Sequence, residues 1–105
     1  MLIPIKPMSV NLAWCGKRFK TKQYQQYEKD CLKLIKGKKI MGNVEIHYKF
    51  FIKNFLMSDV GNFEKPLTDI IVKAGLIEDD RFVQRIIMEK YKSNDERIEI
   101  FISKF

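Results

Sequence analysis

A small mixed α/β domain is the fold that this sequence predicts: one mixed sheet, two helices packed on it and a C-terminal β-hairpin. Three observations carry the prediction. Residues 44–52 alternate apolar and polar side chains with the period of a strand. Residues 21–37 and 67–75 space apolar side chains as helices do, and each run stops at a glycine. Residues 81–102 hold two strand-like runs around the polar stretch Lys92-Ser93-Asn94-Asp95-Glu96, the pattern of a hairpin. At 105 residues the chain is one domain, 1–105. A domain of this size buries only about 60–65% of the surface its unfolded chain exposes, so a homodimer is expected to supplement the core.

Taken in order, Met1 to Leu12 has the spacing of a short strand or extended arm, and Pro4 and Pro7 restrict it to a sheet edge. Trp14 to Lys20 is a basic loop around the Gly16 turn. Thr21 is a suitable N-cap for a helix whose stripe is Tyr24, Tyr27, Cys31, Leu34 and Ile35, ending at Gly37. Lys29, Lys33 and Lys36 lie off that stripe, as a solvated face or as phosphate contacts. Gly42-Asn43 turns the chain into the strand Val44–Ile52. There Val44, Ile46, Tyr48 and Phe50 form the apolar set, and His47 belongs to the polar one. A second helix opens around Pro66, with Asn62 or a residue just after it as cap, and ends at Gly75 in a C′ position. Phe50, Phe51 and Phe55 supply aromatic surface for the core or for a subunit interface.

No apolar run approaches the roughly 18 residues a membrane span needs. The segment 1–7, interrupted by two prolines, lacks the form of a secretory signal. Cys15 and Cys31 are expected as free thiols in a cytoplasmic protein, and with the single His47 they are too few for a zinc site. No small-molecule cofactor motif is present. The net charge of +7 is unevenly divided: residues 1–57 carry 12 Lys and Arg against 3 Asp and Glu, whereas residues 58–105 carry 8 against 10. A basic half suits a polyanion such as DNA, because neutralised phosphates release counterions. Lys17, Arg18, Lys20 and Lys22 are its densest cluster.

The acidic half holds the chemistry-bearing segment, residues 58–83. Asp59 follows the central strand, helical spacing puts Lys65 and Asp69 on one face, and Glu78-Asp79-Asp80 leads into the next strand. If the intervening helix folds back over the sheet, Asp59 and Asp80 meet. Magnesium takes oxygen ligands and usually only one or two carboxylates, keeping water and substrate phosphate for the rest. A metal so placed polarises a phosphate and activates water. Lys65 in the first helical turn would counter charge growing on the scissile phosphate. The plain alternative is a solvated acidic loop with a surface Lys65–Asp69 pair.

This segment resembles the RusA-type Holliday junction resolvases of bacteria and their phages. Their pattern is an Asp, a second Asp two residues on, then Asn, Lys, a mid-helix Asp, a Gly and a paired Asp-Asp before a strand. Here it reads Asp59-Val60-Gly61-Asn62-Phe63-Glu64-Lys65, then Asp69, Ala74-Gly75, Asp79-Asp80 and Val83. Ser9-Val10-Asn11 and Phe19-Lys20-Thr21 before a Tyr-rich helix are similar to the family's opening, so the resemblance spans most of the chain. It implies a homodimeric α/β endonuclease that cuts four-way DNA junctions with Mg²⁺ or Mn²⁺. On it, Asp59, Lys65 and Asp80 are catalytic; Asp59, Asp80 and Asp79 hold metal; Asn62 and Asp69 support the site; and Asn11 joins the basic cluster as a DNA contact. Gly61 departs from the pattern, standing where the second Asp belongs. Asp79 or Asp69 would then supply the missing oxygen, or the site would hold metal more weakly, or the protein would bind junctions without cutting. Gly61 is also expected to use a positive φ ahead of the helix cap.

Overall fold

The computed structural model describes residues 1–15 and 19–105. The chain runs β1 (Leu2–Ile3), α1 (Val10–Ala13), β2 (Trp14–Cys15), β3 (Phe19–Lys20), α2 (Lys22–Leu34), β4 (Val44–Ile52), α3 (Glu64–Lys73), β5 (Val83–Lys92) and β6 (Arg97–Lys104). Single 3₁₀ turns at Val60–Phe63 and Asp80–Phe82 precede α3 and β5. The larger sheet has the order β1-β6-β4-β5; β2 and β3 form a separate two-stranded ribbon. The fold is therefore mixed α and β, as the patterning predicts.

Local rules account for the element ends. The Thr21 hydroxyl accepts from the Tyr24 amide at 3.1 Å, capping α2. Gly75, at φ 81°, ends α3. The Gly75 amide reaches the Val72 carbonyl at 3.0 Å and the Leu76 amide the Ile71 carbonyl at 3.3 Å, a Schellman closure. The expected cap Asn62 is displaced. The chain enters α3 through the 3₁₀ turn, so the cap falls one turn earlier, on Asp59, and Phe63 before α3 makes no side-chain cap.

β4 is the centre of the sheet. Val44, Ile46, Tyr48, Phe50 and Ile52 are all buried on one face. Tyr24, Tyr27 and Cys31 of α2, Leu67, Ile70 and Ile71 of α3, and Ile98 and Ile100 of β6 complete the same core. Each of the larger side chains contributes roughly 1.5–3 kcal/mol by leaving water. Phe50 is fully buried, with ring centroids 5.5 Å from Tyr48 and 5.2 Å from Phe63, so it serves the core and not an interface. Leu34, expected in the helical stripe, is exposed at the end of α2.

The predicted C-terminal hairpin does not form. β5 and β6 lie on opposite sides of β4, parallel and antiparallel to it respectively. The α3 crossover returns the chain to the start of β4, which makes β5 a parallel neighbour. The 93–96 turn then carries the chain over the end of β4. There the Ser93 amide donates to the Ile52 carbonyl at 2.9 Å, and the Lys53 amide donates to the Glu96 carboxylate at 3.2 Å. β1 pairs with β6 at the sheet edge, where Pro4 and Pro7 predict it, but α1 arises within the stretch read as extended.

Two buried polar ties fix α3. The Tyr24 hydroxyl donates to the Pro66 carbonyl at 3.0 Å, and the Tyr48 and Thr68 hydroxyls meet at 2.8 Å. Tyr24→Phe is expected to cost about 1 kcal/mol. Thermal unfolding should read this as a midpoint lower by about 4–8 °C. An unchanged midpoint would mean that the tie between α2 and the first turn of α3 contributes nothing.

Candidate active site

The first turn of α3 presents Lys65 outward because Pro66, Leu67 and Thr68 beside it are buried. One helical turn later Asp69 lies on the same face, and the Lys65 ammonium meets Asp69 Oδ1 at 2.9 Å. The crossover brings in the start of β5, and the same ammonium meets Asp80 Oδ2 at 3.1 Å. Lys65 thus joins two carboxylates fifteen and four residues away in sequence. All three side chains remain open to solvent.

Electrostatics keeps this group charged. Hydrogen bonds to Asp69 and then Asp80 raise the Lys65 ammonium above the ordinary lysine range. Hydrogen bonding with the neighbouring Asp79 carboxyl, and then the Lys65 ammonium, holds Asp80 below the ordinary carboxylate range. A base shifted up and an acid shifted down both keep their charge through neutral pH. A substrate phosphate would therefore meet an ammonium already in place.

Asp59 and Asp79 are arranged differently. Asp59 Oδ1 accepts from the Gly61 amide at 3.2 Å, and Asp79 Oδ1 accepts from the Arg81 amide at 3.3 Å. Each caps the 3₁₀ turn that follows it. Asp59 lines a concavity of about 140 Å³ with Ser9, Asn11, Met57, Ser58, Asn62 and Phe63. The Ser9 hydroxyl there accepts from the Asn11 amide at 3.2 Å. The expected residues therefore fall into two groups, Lys65 with Asp69, Asp80 and Asp79, and Asp59 with Asn11 and Asn62. Among the described residues no three His, Cys, Asp or Glu side chains converge as a metal-holding group. The donor set still suits a hard cation: Asp69 and Asp80 bracket one ammonium, and magnesium needs only one or two carboxylates beside water and phosphate.

Gly61 does not use a positive φ, which among the described residues is confined to Gly37, Gly42 and Gly75. The capping carboxylate of Asp59 already sets the turn. A Cβ at Gly61 would meet Asp59 Oδ1 at 3.7 Å, an ordinary contact. A side chain there is sterically free and would stand beside Asp59.

Of the basic residues expected to contact DNA, Lys17 and Arg18 lie outside the described residues. Lys22 is exposed at the start of α2. Lys20 is engaged: its ammonium meets Glu28 Oε2 at 2.9 Å and lies 5.4 Å from the Tyr24 ring centroid. Lys73 of α3 meets the other Glu28 oxygen at 2.7 Å. Partial burial pushes the Glu28 carboxyl up, but hydrogen bonds from Lys73 and Lys20 outweigh that and hold it below the ordinary range. Sequence reasoning missed Glu28, which joins the end of β3 and α3 to α2. Its signal was slight, an acid amid the basic half.

No helix among the described residues is long and apolar enough to cross a membrane. A family model described as Endodeoxyribonuclease RusA matches residues 11–103 of the chain. No curated protein matches it.

Proposed function

Because the chain belongs to the RusA family of Holliday junction-resolving endodeoxyribonucleases, we propose that it cuts four-way DNA junctions with a divalent metal, magnesium or manganese, in the cytoplasm of a bacterial or phage-infected cell. The observation that carries this reading is the Lys65 ammonium placed between Asp69 and Asp80 at a solvent-open edge of the fold. Phosphodiester cleavage builds negative charge on the phosphate oxygens, and a fixed ammonium meets that charge without reorganising. Asp80, with Asp59, Asp79 or Asp69, would hold the metal, which supplies Lewis acidity and lowers the pKa of an attacking water. The Asn62 amide closes the turn between Asp59 and Lys65, donating to the Asp59 carbonyl at 3.0 Å, and its side chain would support the site. Asn11 beside Asp59, and Lys17, Arg18, Lys20 and Lys22, would hold the DNA backbone.

A homodimer fits both the family and the modest core. Two sites related by a two-fold axis would make paired cuts in a junction of similar symmetry. The reading is tested by incubating a synthetic four-way junction with the protein and Mg²⁺ or Mn²⁺. Symmetric nicks support the nuclease, and light scattering that reports only monomer at tens of micromolar would remove the paired-cut mechanism.

Gly61 favours a second reading, a non-catalytic binder of branched DNA with the same fold. A gel shift without products would support it. Gly61→Asp separates the cases, since the added carboxylate would stand beside Asp59. In a nuclease lacking one ligand, the Mg²⁺ midpoint for cutting should fall by roughly tenfold, the scale on which metal-site partners act. An unchanged midpoint in a folded variant would mean that Asp79 or Asp69 already fills the position. Cutting gained from an inactive parent would identify the binder.

A further inference from the structure

The loop between β4 and Asp59 projects Leu56 and Met57 into solvent, 90% and 88% exposed, the highest values among the large apolar side chains described. Such exposure contributes nothing to folding. The loop is nonetheless held firmly. The Lys90 ammonium, from β5, donates to the Phe55 carbonyl at 2.6 Å and the Ser58 carbonyl at 2.8 Å. It also lies 4.1 Å from the Phe55 ring centroid. The Ser58 hydroxyl donates to the Asn54 carbonyl at 2.7 Å, and the Lys53 amide is anchored on Glu96. One half-buried lysine thus spends its hydrogen bonds on fixing a turn whose tip is two apolar side chains. Met57 also walls the concavity that holds Asp59, Asn11 and Asn62.

We propose that Leu56 and Met57 form a wedge that enters the branch point of the DNA and packs on bases unstacked there. The proposal rests on the reading of the chain as a junction nuclease and names the feature by which it would recognise its substrate. Leucine and methionine are among the side chains that insert between base steps, and a braced loop loses little entropy on doing so. No acidic residue lies between Lys53 and Ser58; the carboxylates beside the loop are Glu96 at its base, tied to the Lys53 amide, and Asp59, which caps the next turn. A continuous duplex keeps its bases stacked, whereas a branch point offers open stacking faces. The wedge would therefore read structure and not sequence, and would deliver the strand to Asp59 two residues on.

The test uses a four-way junction carrying 2-aminopurine at the branch point, with no divalent metal so that nothing is cut. Binding of the unaltered protein should raise the fluorescence, reporting an unstacked base. The double variant Leu56→Ser, Met57→Ser should fold and bind duplex as before but leave the fluorescence low. Its preference for junction over duplex should fall by roughly tenfold, the equivalent of one lost apolar contact with a base step. Lys90→Met, which keeps the tip and removes the brace, should also weaken the fluorescence rise. A double variant that unstacks the branch point as well as the parent overturns the wedge, as does a parent that binds junctions without any change in fluorescence. A drop in mass of the double variant by light scattering would assign the pair to a contact between copies and overturn it too. A parent with no preference for junction over duplex overturns the junction reading itself, and the wedge with it.

Discussion

Asp80→Asn is expected to stop junction cutting, lowering the rate by at least about a hundredfold, the scale for disabling a metal-site group. Binding of the junction should be intact or slightly tighter. The Asp80 carboxylate is exposed, lies against Lys65 and is held ionised by Asp79 and Lys65. Asparagine preserves its shape and removes its charge, so a divalent cation loses an anionic oxygen. A carboxylate near DNA also repels phosphate until a cation lies between them, and the substitution relieves that repulsion. The fold should be unaffected, because Asp79 and not Asp80 caps the local turn. Cutting rates on a four-way junction, measured beside binding by gel shift, check both halves. Asp59→Asn should behave alike if Asp59 also holds metal. Cutting like the parent by both variants would mean that the metal is held elsewhere.

Lys65→Met should lower the cutting rate by about 10²–10³-fold, the range for removing one preorganised group that stabilises transition-state charge. Exposed ion pairs are worth about 0–1 kcal/mol, so stability should scarcely change. The variant also leaves Asp69 and Asp80 facing each other without the ammonium between them. A divalent cation should then bind at least as tightly as before while cutting falls, an opposition that simple damage to the site would not produce. Lys65→Arg should recover only part of the rate, since guanidinium keeps the charge but not the compact point geometry. Neither Lys65 nor Asp80 titrates near neutrality, given the raised base and the lowered acid, so neither should impose a pH dependence on cutting there. A Lys65→Met protein with the parent's rate would reduce the pair to surface charge.

Part of the candidate site was legible because Lys65, Asp69 and Asp80 lie in one segment, the first two at helical spacing. Lys65 and Asp69 share a face by arithmetic of the helix turn, and Asp80 enters because a crossover helix must return to the sheet. What the spacing could not show is how the carboxylates divide. Asp59 and Asp79 each turn back onto a backbone amide, which depends on 3₁₀ turns that no periodicity announces. Asn62 was expected to cap the helix, yet α3 starts from Phe63 without a side-chain cap, and Asp59 caps the 3₁₀ turn ahead of it through the Gly61 amide. Lys90 reads in sequence as one more basic strand residue, and its grip on the 54–58 loop exists only once β5 lies beside β4.

The central strand 44–52, the Thr21 cap, the Gly75 stop and the shared face of Lys65 and Asp69 are all readable from the residues alone. Each follows from rules acting within a few residues: alternation across a pleat, a hydroxyl beside an open amide, a backbone angle that glycine enters freely. The tertiary structure alone decided which strands are neighbours. β5 and β6 follow one another through a short turn and were expected to pair, but β4 lies between them. Strand pairing is a long-range choice, made where buried edges of β4 need partners on both sides and where α3 delivers the chain for a parallel return. The same choice brings Asp80 to Lys65, places Lys90 under the apolar loop and leaves Asp59 with Asn11.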